Sequence, residues 1–244
     1  MTDPSIEKQF SRAAASYDQA AAVQRKVIAQ LTERLPPAGN IYRILEIGCG
    51  TGELTQVLAD QYPQAHIDAI DISPTMIEQA QKKVLSEKVC WVCEDYLEFK
   101  PIQAYDLICS ANTLHWLHPL DVTLLRMNQQ VSPNGRVLAA LMLYDTFREL
   151  HELRATLFPG KSVEQRLPTP DSVQAVLPCG WEINEATWSE PLVDTLQFFK
   201  SLRQLGVTGG AVSRKRLNQA ETLQLVRTFD AESVTWQVGY LSKG

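Results

Sequence analysis

Apolar positions between residues 4 and 35 recur every three to four places: Ile6, Phe10, Ala13 or Ala14 and Tyr17, then Val27, Ile28, Leu31 and Leu35. That period predicts two helices. Pro36-Pro37 ends the second, because proline cannot continue a helix. Beyond it, short apolar runs alternate with helical patterns. The runs are Arg43–Ile47, Ile67–Ile70, Val89–Cys93, Tyr105–Cys109 and Arg136–Leu143, and the helical patterns are Leu54–Gln61, Pro74–Leu85 and Leu120–Gln130. Such alternation predicts βαβ units and a mostly parallel sheet. Ser73-Pro74 reads as a helix cap followed by proline at the first helical position, and Pro133-Asn134-Gly135 as a turn before the fifth strand. After residue 145 the pattern changes. Leu150, Leu153 and Leu157 suggest a helix, Phe158–Pro170 a loop, Trp181–Trp188 a strand, 191–205 and 216–229 helices, and Ser233–Leu241 a last strand. Helices with no flanking parallel strand have no place in a bare doubly wound sheet, so they are expected to form a cap. The division is residues 1–35 as part of that cap, 36–145 as the α/β core, and 146–244 as the rest of the core with cap helices at about 191–216.

Composition narrows the picture. Of 244 residues, 45% are hydrophobic and 21% charged, the balance of an ordinary globular chain. The net charge of −5 argues against sequence-independent nucleic-acid binding, which needs a broad basic surface. No apolar run is long enough to cross a bilayer, and Met1 to Glu7 lacks the features of a signal peptide, so a cytoplasmic protein is expected. The cysteines, Cys49, Cys90, Cys93, Cys109 and Cys179, are odd in number, and several fall in segments that read as buried, the usage of reduced thiols. Cys90-Trp91-Val92-Cys93 has metal spacing, but on a strand residues three apart face opposite ways, so buried thiols are the better account. His115-Trp116-Leu117-His118 has no acidic or cysteine partner at ligand spacing, and no metal is expected.

The chemistry concentrates at Ile44-Leu45-Glu46-Ile47-Gly48-Cys49-Gly50-Thr51-Gly52, a strand running through a glycine turn into a helix. Such a turn presents backbone N–H groups and side-chain-free surface at the carboxyl end of a sheet, where ligands of open α/β folds bind. A dinucleotide fingerprint would place its third glycine at residue 53, which is Glu53, and no Lys-Ser/Thr follows to make a phosphate loop. A glutamate there would also repel a pyrophosphate at the helix's positive end. Asp71 ends the second strand, 23 residues after Gly48, where a carboxylate can accept both hydroxyls of a ribose; capping the helix behind it is the plainer role. The third strand ends in Cys93-Glu94-Asp95-Tyr96, where an acid can meet an adenine amino group beneath an aromatic neighbour.

Ile44 to Gly52, Asp71, Asp95-Tyr96 and Tyr105-Asp106-Leu107-Ile108-Cys109-Ser110 together resemble the class I S-adenosylmethionine-dependent methyltransferases. The resemblance implies an α/β, Rossmann-like, seven-stranded mostly parallel sheet with a small helical cap, and S-adenosylmethionine as the methyl donor. It implies Glu46 toward the donor's amino group, Gly48 and Gly50 beneath it, Asp71 on its ribose, and Asp95 and Tyr96 at its adenine with Met76 near the ring. Arg12, Tyr17, Ile72 and Ser110 complete the expected cofactor contacts. The flanks are more particular. Phe10-Ser11-Arg12-Ala13-Ala14-Ala15-Ser16-Tyr17-Asp18-Gln19-Ala20, with Gln24, is similar to the N-terminal signature of the malonyl-acyl-carrier-protein O-methyltransferases of biotin synthesis. Thr146 to Leu150, Ser201 to Thr208 and Thr235 to Tyr240 agree with it, whereas Gly209-Gly210-Ala211 departs from that family's polar or His-containing continuation. Trans-aconitate methyltransferases, which share a comparable Leu114-His115-Trp116 stretch, are the competing acceptor class. A non-catalytic S-adenosylmethionine-binding module and a nicotinamide enzyme compete with both.

A carboxyl group with a pKa of about 4 is already anionic at neutral pH, so its methylation needs no general base. Alignment and desolvation are then the enzyme's work, and they can supply roughly 7–11 kcal/mol. Tyr17 is the candidate for closing the site, His115 for positioning the acceptor, and Trp116 and Arg203 for holding it; Arg12 and Arg126 are further candidates for its carboxylate. The partner implied is malonyl-acyl carrier protein or malonyl-CoA, met by a monomer. Arg214-Lys215-Arg216 is the basic run suited to an acidic carrier.

Overall fold

The apolar runs become a single seven-stranded sheet in a computed structural model that describes residues 4–161, 167–207 and 217–244. The strands are β1 (Arg43–Ile47), β2 (His66–Asp71), β3 (Val89–Cys93), β4 (Tyr105–Ala111), β5 (Val131–Met142), β6 (Trp181–Pro191) and β7 (Ser233–Lys243). They lie in the order β3-β2-β1-β4-β5-β7-β6. Pairings from β3 through β5 are parallel, and β7 runs antiparallel between β5 and β6. Parallel strands need crossover helices on both faces, which is why β1 and β4 read as continuous apolar runs rather than alternating ones. Ile44 and Leu107 bury on one face of the sheet, and Leu45, Ile47 and Ile108 on the other.

The described helices are α1 (Pro4–Ala13), α2 (Tyr17–Ala20), α3 (Ala22–Thr32), α4 (Glu53–Gln61), α5 (Pro74–Lys83), α6 (Leu120–Gln130), α7 (Arg148–Leu157), α8 (Pro170–Gln174), α9 (Thr195–Gln204) and α10 (Gln219–Thr228). Ser73 caps α5 by accepting the Met76 N–H at 3.2 Å, with Pro74 opening the helix. Leu124 and Met127 of α6 are fully buried against one face of the sheet. Leu58 of α4 and Val27 and Leu31 of α3 are fully buried against the other.

Several sequence expectations change here. The spacing over 4–35 predicts two helices, whereas the chain breaks at Ala14–Ser16 and forms three. Residues 1–35 are not all cap. Helix α3 belongs to the sandwich, because its stripe of Val27 and Leu31 finds the exposed apolar face of the sheet. Helix α2 touches α9, and α9 and α10 pack together through Phe198, Phe199 and Phe229, with Phe147 and Trp236 below. The turn expected at Pro133–Gly135 is absorbed into β5 as an irregularity: Tyr105 faces Val131 and Leu107 faces Arg136. Gly135 is required there, since a Cβ would stand 2.8 Å from the Tyr105 carbonyl oxygen. Helix α8, capped by Thr169, begins where the expected loop ends, in a stretch whose pattern predicts no helix. Cys90 and Cys93 are exposed rather than buried, because β3 is an edge strand with one neighbour. No helix among the described residues is long and apolar enough to cross a membrane.

If α3 is a structural layer of the sheet, Leu31→Ala lowers stability by about 2–5 kcal/mol, the cost of emptying a closed core position. Thermal unfolding should show a loss close to that of Leu58→Ala in the same cluster. A shift of under a degree would mean that α3 peels away freely.

Candidate active site

The turn after β1 is drawn over the end of β2 by backbone bonds. The N–H groups of Gly48 and Cys49 both donate to the Ile70 carbonyl, at 2.8 and 2.9 Å. The Asp71 carboxylate then accepts the Gly50 N–H at 2.9 Å and the Ser73 N–H at 2.8 Å, so one acid holds the glycine turn and the start of α5 together. The glycines serve different ends. At Gly48 (φ 73°) a Cβ would lie 2.1 Å from the Thr113 hydroxyl oxygen, so this position is closed by the loop after β4. At Gly50 (φ 52°) none of the described residues comes within 4 Å of a Cβ, and the bare backbone looks onto open space.

That space is a cavity of about 990 Å³, the open solvent at its mouth included, over the carboxyl ends of β1, β2 and β4. Glu46 forms part of its wall at 1% exposure, and one carboxyl oxygen has no hydrogen-bond partner among the described residues. Burial, reinforced by the charge of Asp71, raises the Glu46 pKa to about 8. Burial also holds Asp71 above the usual carboxylate range, against the pull of its two backbone N–H bonds. Tyr17 faces the same space, with a phenol pushed upward by burial and then by Asp71 and Asp18, so it stays a neutral donor. Phe10 of α1 meets Trp116 edge-to-face at 5.5 Å, and both line the cavity.

The N-terminal segment is tied to the turn by charge. Asp18 accepts the Thr51 hydroxyl at 2.5 Å and the Lys83 ammonium at 2.8 Å, and Lys83 also reaches Glu53 at 3.2 Å. Burial works to raise the Asp18 pKa, but the bonds from Lys83 and Thr51 outweigh it and hold the acid low. Ser11 bonds Ser73 at 2.9 Å, and the Thr75 hydroxyl donates to the Ser11 carbonyl at 3.1 Å, which seats α1 on the start of α5.

Ten of the residues singled out from the sequence meet at this cavity. Glu46, Gly48, Gly50, Asp71 and Ile72 come from the first two strands and their turns, and Tyr17, Met76, Asp95, Tyr96 and Trp116 from the segments around them. Tyr96 offers its ring, since its hydroxyl donates to Gln130 at 2.8 Å in the core. The others lie elsewhere. Ser110 is fully buried and spends its hydroxyl on the Ile47 carbonyl at 2.9 Å, joining β4 to β1. His115 is buried outside the lining, where its Nδ1 accepts the Met142 N–H at 3.3 Å. Burial, with His118 nearby, pushes its pKa down to about 3, leaving a neutral ring. Arg12 and Arg203 are exposed on α1 and α9 outside the lining. Arg126 donates to the Phe99 carbonyl and lies over the Tyr96 ring. Arg214-Lys215-Arg216 falls outside the described residues. Sequence reasoning passes over Arg25, Asn112 and Thr113 as cavity residues, and Gln24 as more than part of a signature. Asn112 has a legible signal: a short amide just past a strand end tolerates the left-handed backbone it adopts, at φ 59°.

A family profile described as a methyltransferase domain matches residues 45–137. A malonyl-[acyl-carrier protein] O-methyltransferase of Bacillus cytotoxicus is 34% identical over 216 residues, covering 83% of this chain and 75% of that one. The chain belongs to the malonyl-[acyl-carrier protein] O-methyltransferase family. A relative of the same description from Anoxybacillus flavithermus is 34% identical over 86% of this chain and 82% of its own. Among solved structures, Haemonchus contortus phosphoethanolamine N-methyltransferase 2 in complex with S-adenosyl-L-methionine superimposes with a TM-score of 0.60 at 17% identity, over 96% of this chain and 57% of that one. The N-methyltransferase NodS of Bradyrhizobium japonicum gives 0.52 at 15% identity, over 90% and 96%. These distant likenesses show a shared fold, the Rossmann-like sheet of methyltransferases.

The cavity of this methyltransferase family member fits S-adenosylmethionine on two observations. A buried carboxyl with an orphaned oxygen calls for a cation, and the donor carries an ammonium group. Gly50 leaves room for a ligand to lie against the backbone. No group of three or more His, Cys, Asp or Glu among the described residues is placed to hold a metal ion.

Two outcomes follow from this geometry. Gly48→Ala must displace Thr113 and should lower the melting temperature sharply. Gly50→Ala has room, costs about 1–2 kcal/mol for its left-handed backbone, and places a methyl group in the cavity. Calorimetry with S-adenosylhomocysteine should show binding weakened on the order of tenfold or more in Gly50→Ala; unchanged affinity would move the ligand off the turn. The second concerns pH. Glu46 keeps its proton in the folded, ligand-free state up to about 8, while the unfolded carboxyl gives it up near 4.5. Stability therefore falls as pH rises through that window. Glu46→Gln should flatten the slope measured by denaturant titration between those limits, and a parallel slope in both proteins would refute the assignment.

Proposed function

We propose that the protein transfers the methyl group of S-adenosylmethionine to the free carboxylate of a malonyl thioester carried on acyl carrier protein, or on coenzyme A, giving the methyl ester. The observation that carries this reading is the buried carboxyl of Glu46, with an oxygen that no described residue bonds, and the open backbone of Gly50 on the same cavity, in a chain of this family. Glu46 would bind the donor's ammonium group, with Gly48 and Gly50 beneath it. Asp71 would accept the ribose hydroxyls with the lone pairs its two backbone N–H bonds leave free. Ile72, Met76, Asp95 and the Tyr96 ring would enclose the adenine.

Bound S-adenosylmethionine supplies a methyl carbon on a positively charged sulfur, and S-adenosylhomocysteine is its product. The chain's own residues align and exclude. The acceptor carboxylate is ionised at neutral pH, so no side chain has to remove a proton. Tyr17, neutral and facing the cavity, would close the site near the reacting methyl group, and Phe10 against Trp116 would shut out water on the acceptor side. His115 acts at one remove in this reading. Its ring fastens the Leu114–Trp116 turn to β5 and so sets where Trp116 stands.

The test is direct. The protein, S-adenosylmethionine and malonyl-acyl carrier protein should yield a product heavier by one CH₂ on the malonyl group by mass spectrometry, with malonyl-CoA tested in parallel. Methylation of a small tricarboxylic acid with no gain on either thioester would overturn the acceptor assignment.

A further inference from the structure

We propose that Arg25, together with the amide of Gln24, forms the subsite that grips the acceptor's carboxylate; this rests on the reading of the protein as a carboxyl methyltransferase. An anionic acceptor entering the cavity meets the acids Asp18, Glu46, Glu53, Asp71 and Asp95. These suit a cationic donor and repel a second carboxylate. Among the described residues lining the cavity, Arg25 is the single cation. Lys83 stands close by but is engaged by Asp18 at 2.8 Å and Glu53 at 3.2 Å. Arg12, Arg126 and Arg203 lie outside the lining.

The placement of Arg25 is built, not incidental. It stands in the first turn of α3, and its Nη1 donates to the Asp18 main-chain carbonyl at 2.7 Å, next to Tyr17. That bond uses one of five guanidinium donors and sets the plane of the fork, which matches the two oxygens of a carboxylate. Gln24 precedes it on the same wall, only 7% exposed, with a side-chain amide oxygen that has no partner among the described residues. The Asn112 side chain, whose own amide oxygen is also unpartnered among the described residues, donates to the Gln24 main-chain carbonyl at 3.4 Å and holds this stretch against the end of β4. The Gln24 side chain also carries an NH₂ group, a donor for a carboxylate beside the guanidinium. Each carboxylate oxygen has more than one lone pair, so a carboxylate held by Arg25 and Gln24 keeps a lone pair free on the oxygen nearer the methyl group. That oxygen forms the bond to the methyl carbon as the carbon–sulfur bond breaks. The bonding pair passes to sulfur, the two opposite charges cancel, and no proton moves.

The experiment compares wild type with Arg25→Met, Arg25→Lys and Gln24→Glu. Affinity for S-adenosylhomocysteine is measured by calorimetry, and KM and kcat across malonyl-CoA and a panel of small carboxylic acids. Arg25→Met should raise KM for the malonyl thioester roughly 10- to 100-fold, the loss of one charge-assisted hydrogen-bonded pair. Arg25→Lys should recover part of it, and Gln24→Glu should raise KM by adding repulsion. Affinity for S-adenosylhomocysteine should stay within a few-fold throughout. An unchanged KM in Arg25→Met overturns the proposal, as does a parallel loss of S-adenosylhomocysteine affinity, which would make Arg25 a brace for α2. If wild type methylates a different carboxylic acid and Arg25→Met loses that activity, the malonyl reading falls and the Arg25 subsite stands. If wild type methylates no carboxylate, both fall.

Discussion

A carboxyl group sealed at the end of β1, with one oxygen unmatched by any donor among the described residues, is the constraint on which the site depends. Leaving such a group unpaired in an apolar surround costs free energy, and the folded chain lessens that cost by holding the proton. A cation relieves it fully. The cavity is therefore incomplete by construction, and its incompleteness has a sign. The protein stores near Glu46 a preference for a positively charged ligand before any ligand arrives.

The parallel sheet makes this possible. Its strands β1, β2 and β4 end on one edge, so the turn after each converges without long-range design. Asp71 turns convergence into a fixed shape, since its carboxylate binds both the glycine turn and the start of α5. What the sheet cannot do is cover the opening. That falls to α1, α2 and the first turn of α3, which reach the cavity through Phe10, Tyr17 and Arg25 and are anchored by the Asp18–Thr51 and Asp18–Lys83 contacts. The cover thus contributes the polarity that the sheet's acidic edge lacks. The same division sets Glu46 and Asp71, on the strand ends, apart from Arg25, on the N-terminal helices.

Where the sequence misplaces residues, the reasons are geometric. Ser110 sits on β4 one position before the strand's final residue, close enough in sequence to be a ligand, but its side chain points between strands and bonds the Ile47 carbonyl. His115 and Trp116 are neighbours, and a single turn of 3-10 helix sends one into the core and the other to the cavity. Arg12 lies in the N-terminal signature, yet the helix phase of α1 exposes it while Phe10, two positions earlier, faces inward. Each of these is a matter of facing, which depends on a break or a phase that a single sequence does not display. Cys90 and Cys93 differ in kind: the apolar run does form the strand, but nothing in it says that the strand lies at the sheet's edge.

The sequence by itself determined the order of strands and helices in the core, the glycine turn, and the acids at the ends of β1, β2 and β3. These are local features, carried by periodicity, proline and glycine, and by the position of a charge at a strand's end. Only the tertiary structure decided that α3 is a layer of the sheet, that Gly48 and Gly50 have separate duties, and that Arg25 rather than Arg12, Arg126 or Arg203 reaches the cavity. Those outcomes turn on which surfaces meet across long stretches of chain. Meeting is settled by the whole set of buried contacts at once, and no single segment encodes it.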